Sequence, residues 1–172
     1  HARAFSGRSD TELVAIAGRT QERTAKRAAE FKVPYYFSVP ELLEKEKPDF
    51  VSLCLPAQHT FETTMAVIEA GIPLLSEKPI AYKLEEARAL VAKAEEKNLF
   101  YAIDFNQRYS IPCLKAKQAI DEGRLGRPVF AHWRFGHGWD TPYLDHPYLN
   151  LIQAQCHGLD LLEHLCGPIR SC

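Results

Sequence analysis

Phe50-Val51-Ser52-Leu53-Cys54-Leu55-Pro56, an interval of helical length closed by Glu69-Ala70-Gly71, and then Pro73-Leu74-Leu75-Ser76-Glu77-Lys78-Pro79 form the stretch that decides the fold. Both apolar runs are short and lack polar alternation, the pattern of a strand covered on both faces. Pro56 stops the first. Residues 61–70 between them are helical, and Gly71 is a natural C-terminal stop. A strand, a helix and a second strand joined by short connections predict a parallel pair with a crossover helix.

The same alternation extends outward. Leu13-Val14-Ala15-Ile16-Ala17 predicts a strand buried on both faces, and residues 20–31 a helix with Ala25, Ala28, Ala29 and Phe31 on one side. Val33-Pro34-Tyr35-Tyr36-Phe37 is a brief extended piece. Ser38-Val39-Pro40-Glu41 is a capping box, Ser first and Glu three later, opening a helix to about residue 46. Leu84, Ala87, Leu90, Val91 and Ala94 share one helical face, and that helix ends near Asn98. Phe100-Tyr101-Ala102-Ile103 is a further strand. Strands alternating with helices predict a doubly wound parallel α/β sheet over residues 1–110.

The pattern changes after about Ser110. Residues 114–122 read as an amphipathic helix, 129–135 as a strand, 136–148 as a loop and 150–166 as a helix stopped by Gly167-Pro168. These elements cannot bury a core of their own, so residues 111–172 are expected to begin a second α/β domain. At the other end, His1-Ala2-Arg3-Ala4-Phe5 reads as the helix that follows a phosphate-binding turn, without the first strand and Gly-rich turn themselves. The natural protein is therefore expected to be about twice this length, because a second sheet domain needs its own core.

Composition excludes several classes of function. The 172 residues are 46% hydrophobic and 25% charged, with a net charge of −1 spread evenly. No basic face calls for nucleic acid and no apolar run is long enough to span a bilayer. The opening residues do not read as a secretory leader. Five cysteines, Cys54, Cys113, Cys156, Cys166 and Cys172, show no zinc-ligand spacing, and Cys54 in its apolar run reads as a small core residue. A reducing, cytoplasmic setting is expected.

Chemistry is expected at the C-terminal ends of the strands. Gly18-Arg19-Thr20 stands where such a domain reads an adenosine ribose. No acid is present to take a 2′-hydroxyl, and Arg19 suits a 2′-phosphate, which points to NADP ahead of NAD; a solvated Arg at a helix start is the other reading. Leu55, Pro56 and His59 follow the second strand and are expected to leave backbone groups facing the cofactor crevice. Glu77 and Lys78 follow the next. A Lys at the end of a buried strand suits proton exchange with a substrate hydroxyl, held by the stiff Pro79; a structural Glu–Lys pair is the alternative.

Taken together, Leu53-Cys54-Leu55-Pro56, its spacing to Glu69-Ala70-Gly71, Glu77-Lys78-Pro79-Ile80-Ala81 and Phe105-Asn106-Gln107-Arg108-Tyr109 resemble the glucose–fructose oxidoreductase, inositol dehydrogenase and MocA (Gfo/Idh/MocA) family along essentially the whole chain. The resemblance implies an N-terminal Rossmann domain, a C-terminal α/β domain with a large open sheet, and hydride transfer between NAD or NADP and a sugar, inositol or related carbonyl compound. It implies that Lys78 contacts the substrate and the nicotinamide ribose, and that His157 shuttles a proton or binds substrate, supported by Asp160 three residues on. Arg108, Trp139, Gln153 and Asp160 are the expected substrate contacts, and a homodimer or homotetramer the expected assembly.

Two departures stand out. Gln153 occupies the position of the family's acid, four residues before His157, and Gln cannot take a proton. Thr60 stands where a His is often found, with His59 one place early. A non-catalytic NAD(P)-binding sensor or corepressor on the same fold is the alternative function. His137, Asp140, Asp145 and His146 lie in the aromatic loop without fixed spacing, and no metal is assigned to them.

Overall fold

The computed structural model describes residues 1–134 and 155–171. They divide into two compact units, His1–Ile103 and Asp104–Cys172. The boundary falls before the expected position at residue 110, because the turn that follows it packs with the second unit's helices.

The first unit alternates helices and strands: α1 (Ala2–Ser6), β1 (Ile16–Ala17), α2 (Gln21–Phe31), β2 (Tyr35–Tyr36), α3 (Val39–Glu46), β3 (Val51–Leu53), α4 (Thr60–Glu69), β4 (Leu74–Ser76), α5 (Leu84–Glu96) and β5 (Tyr101–Ile103). All pairings are parallel. β1 lies beside β2, with Ile16 opposite Tyr35. β3, β4 and β5 form a second ladder in which Leu53 faces Ser76 and Ser76 faces Ile103. This is the parallel α/β architecture that the alternation predicts.

Local chemistry accounts for most of the boundaries. The Ser38 hydroxyl accepts from the Glu41 amide at 3.4 Å and caps α3. Gly71, at φ +73, takes the left-handed conformation that closes the turn after α4. Packing explains the core. Val67 and Ile68 of α4, Leu74 of β4 and Leu90 of α5 are fully buried, joined by Leu43, Leu53, Ala81 and Ala94.

Three expectations change here. The first strand is Ile16–Ala17 alone, half-buried at Ile16 and exposed at Ala17. Its ladder passes through the Pro34 carbonyl, which accepts from the Ile16 amide at 3.1 Å; Pro34 has no N–H with which to extend the pairing backward. Cys54 lies just past the end of β3 and is exposed, not in the core. On α5, Leu84 and Val91 are exposed, because the packed stripe runs through Ala87, Leu90 and Ala94 and Val91 sits about 100° around the helix from Leu90.

The second unit holds α6 (Ile111–Asp121) and α7 (Cys156–Cys166), with a 3₁₀ turn at Asn106–Tyr109 that packs on both. Residues 129–134 are not a strand. Val129 and Phe130 are 86% and 84% exposed, and no strand among the described residues lies beside them to complete a ladder. Of the expected helix at 150–166, the described part is α7, which ends at Gly167 with φ +92. Among the described residues, no helix is long and apolar enough to cross a membrane.

Candidate functional site

In the first unit, the candidate residues follow the strand ends because the ladders leave them there. The Gly18 amide donates to the Tyr36 carbonyl at 3.1 Å, so pairing continues to Gly18 and releases the chain at Arg19 and Thr20, both exposed. Gly18 serves a second purpose that sequence reading missed. A Cβ at this position would lie 2.3 Å from Thr24 Oγ1. Thr24 is buried in the first turns of α2 and its hydroxyl donates to the Thr20 carbonyl at 2.7 Å. Gly18 thus lets the start of α2 approach the strand end that carries Arg19.

Beyond β3 the chain turns tightly. The Pro56 carbonyl accepts from the His59 amide at 2.8 Å and from the Thr60 hydroxyl at 3.2 Å. That carbonyl is therefore taken up inside the turn and does not face a ligand, contrary to the sequence expectation. Thr60 is buried by this bond and His59 is left exposed. Arg19, Leu55 and His59 are among the residues that line one broad crevice, together with Ser52 and Leu53.

The Glu77 amide donates to the Leu53 carbonyl at 2.8 Å, extending the β3–β4 ladder by one residue. Lys78 is the first residue past the ladder, half-buried, and its peptide bond to Pro79 is cis. Glu77 is held on both sides: one carboxylate oxygen lies 3.3 Å from His1 Nε2, and the other accepts from the Lys78 amide at 3.2 Å. His1 Nδ1 in turn lies 2.6 Å from the Ser52 hydroxyl of β3. The glutamate is spent on fixing the backbone on which Lys78 stands.

In the second unit, His157 and Asp160 are both buried on one face of α7, as their i, i+3 spacing requires. Arg108, from the 3₁₀ turn, forms a two-point fork with Asp160, with Nε 2.7 Å from Oδ2 and Nη2 on Oδ1. The hydrogen bonds to the Asp160 carboxylate push the Arg108 guanidinium up from its already high value, so the arginine stays charged. Phe105 meets the His157 imidazole edge-on, with ring centres 6.0 Å apart.

Trp133 is a residue that sequence reading passed over. Its indole N–H donates to Gln155 Oε1 at 3.2 Å, and a Cβ on Gly158 would lie 2.4 Å from Nε1. The signal was the glycine directly after His157, a gap in the helix surface that an aromatic ring fills. Trp139 and Gln153, and the loop residues His137, Asp140, Asp145 and His146, lie outside the described residues. Cys54, Cys113, Cys156 and Cys166 form no disulfide.

Comparison with known proteins adds three kinds of finding. Residues 1–105 match the Gfo/Idh/MocA oxidoreductase family, NAD-binding Rossmann fold. The chain is 30% identical over 127 residues to the D-glucoside 3-dehydrogenase of Escherichia coli, a match covering 73% of this chain and 36% of that protein. It is 32% identical over 130 residues to the NADP(+) D-xylose 1-dehydrogenase of Hypocrea jecorina, covering 72% and 33%. The chain thus spans about a third of the length of these two curated relatives. Its fold is similar to that of an oxidoreductase from Agrobacterium radiobacter, solved with NAD+, L-tartaric acid and magnesium, with a TM-score of 0.86 at 22% identity over 97% of this chain and 51% of that one.

Proposed function

This chain belongs to the Gfo/Idh/MocA family of oxidoreductases and carries its NAD-binding Rossmann domain, and we propose that the protein moves a hydride between NAD or NADP and a sugar, inositol or related polyol. The observation that carries the reading is Lys78, half-buried one residue beyond the β3–β4 ladder, with its backbone held by Glu77.

The side chains at the strand ends fit a dinucleotide. Arg19 and His59 share one crevice with the apolar Leu55, supplying a cationic group, a ring nitrogen and an apolar wall. With no carboxylate at Gly18-Arg19-Thr20 to accept a ribose 2′-hydroxyl and an exposed guanidinium ready for a 2′-phosphate, NADP is the favoured cofactor. The NADP(+) dependence of the similar xylose dehydrogenase supports this choice. When bound, the nicotinamide accepts or supplies the hydride. Lys78 Nζ takes the proton from the substrate hydroxyl during oxidation and returns it to the carbonyl oxygen during reduction. His157 is the second proton-exchanging group, and a sugar or polyol is the partner molecule. The assembly is a homodimer or homotetramer, which light scattering measures directly.

The decisive experiment uses the full-length protein, NADP and NAD, and a panel of sugars and inositols, following nicotinamide absorbance. Lys78→Ala is expected to reduce turnover by about 10²–10⁴-fold, the usual size of a general acid–base contribution, while cofactor binding by fluorescence titration is retained. A wild-type protein that binds NADP but changes no nicotinamide absorbance with any member of the panel would overturn the enzymatic reading in favour of a ligand sensor.

A further inference from the structure

His157 sits in a closed circuit of side chains within the second unit. Asp160 lies one turn along α7 from His157, and its side chain is 6% exposed. Both of its carboxylate oxygens are engaged by Arg108. The Arg108 guanidinium carbon lies 6.0 Å from the centre of the Phe105 ring. That ring completes the circuit by meeting the His157 imidazole at 83°, edge to face. Arg108 and Phe105 sit on and beside the 3₁₀ turn Asn106–Tyr109, so a single short turn grips α7 at two points.

We propose that Arg108 and Asp160 are positioning residues for His157 and not ligands of the substrate. The proposal rests on the reading that His157 exchanges a proton with the substrate. A single hydrogen bond leaves its partners free to pivot, whereas two parallel N–H to oxygen contacts fix both angle and plane. The fork therefore sets the rotation of α7 about its axis, and that rotation decides where the imidazole points. Phe105 then limits the tilt of the ring. A carboxylate so covered, with each oxygen already receiving an N–H, has little surface left for a sugar hydroxyl. Separating the pair would leave a charge uncompensated within the protein, which holds the fork closed.

The test uses full-length protein carrying Asp160→Asn, Arg108→Lys, or both, with kcat and KM measured on the best substrate of the panel. The His157 ring nitrogens are followed by ¹⁵N NMR in the ligand-free protein, assigned with His157→Gln. Both single variants are expected to shift the His157 signals before any substrate is added. Both should lower kcat by about tenfold at a KM within about twofold of wild type, the scale of losing a residue that orients a reacting group. The double variant should be no worse than the poorer single one, because the two residues act as a unit. A raised KM at unchanged kcat, with the His157 signals in place, would make them substrate ligands and overturn the proposal. If Asp160→Asn does not fold, Phe105→Leu leaves the fork intact and must still move the His157 signals; unmoved signals overturn the proposal too. Should wild type turn over no sugar or polyol, the proposed activity fails, while the NMR arm still decides the positioning role.

Discussion

The two units hold their candidate residues by different means. In the first, Arg19 and Lys78 are placed by main-chain hydrogen bonds: Gly18 to Tyr36 and Glu77 to Leu53 are the last rungs before each. The side chains there are exposed or half-buried and the backbone does the placing. In the second, His157 is placed by side chains, through the Arg108–Asp160 fork and the Phe105 ring. A ladder position survives most substitutions, because every residue except proline carries the same N–H and C=O. A side-chain fork survives almost none. The first arrangement tolerates sequence change around its site, and the second ties His157 to particular partners.

Three further measurements bear on this contrast. The largest effect is expected from Leu74→Ala, which empties a fully buried position of β4 and should cost about 2–5 kcal/mol. Hydrogen exchange should then show lost protection in β3, β4 and β5 with α7 little changed. Equal loss in α7 would join both regions into one cooperative unit and erase the distinction.

Next come the two glycines that admit a side chain from elsewhere in their own unit. Gly158→Ala would drive a Cβ against Trp133 Nε1, and Gly18→Ala would drive one against Thr24 Oγ1. Each should cost about 1–3 kcal/mol by overpacking. The consequences should differ. Gly158→Ala is expected to shift Trp133 fluorescence and lower turnover, whereas Gly18→Ala is expected to weaken NADP binding. If each instead produces the other's effect, the assignment of cofactor recognition to the Gly18 strand end and of proton exchange to His157 is wrong.

The smallest effect concerns pH. The Tyr101 phenol lies by the Ser76 and Thr64 hydroxyls, and burial raises its pKa, an effect the two hydroxyls partly offset. Thr64, Ser76 and Tyr101 close no hydrogen bond of good geometry among the described residues. Since the folded-state pKa is raised, the stabilisation is fully present below the unfolded value near ~10 and is lost as pH rises through the folded one. Urea midpoints should fall above about pH 10 in wild type and less steeply in Tyr101→Phe. Identical slopes would show that the phenol ionises as readily folded as unfolded.

Much of the fold is legible without coordinates. The alternation of short apolar runs with helices specifies parallel strands, because a fully covered strand needs no polar face and the connections are too long for hairpins. Lys78 was legible for the same reason: a charge directly after such a run must stand at a strand end. Strand lengths were not legible. Pro34 shortens the first ladder, and residues 129–134 have strand composition but no pairing strand among the described residues, since a strand exists only through what pairs with it. The spent Pro56 carbonyl escaped notice because it depends on how the following turn winds.

Sequence alone reached the fold class and the helix and strand order of residues 16–103 through local periodicity and short spacings, and the family through the resemblance of its motifs, which also singled out His157 and Asp160. Only the tertiary structure decided that Asp160 is matched by Arg108, fifty-two residues earlier in the chain, that Trp133 fills the space over Gly158, and that Thr24 lies against Gly18. The physical reason is separation. Periodicity reports which face of an element is apolar, but side chains far apart in the chain meet only after the elements pack, and that meeting leaves no local trace in either segment.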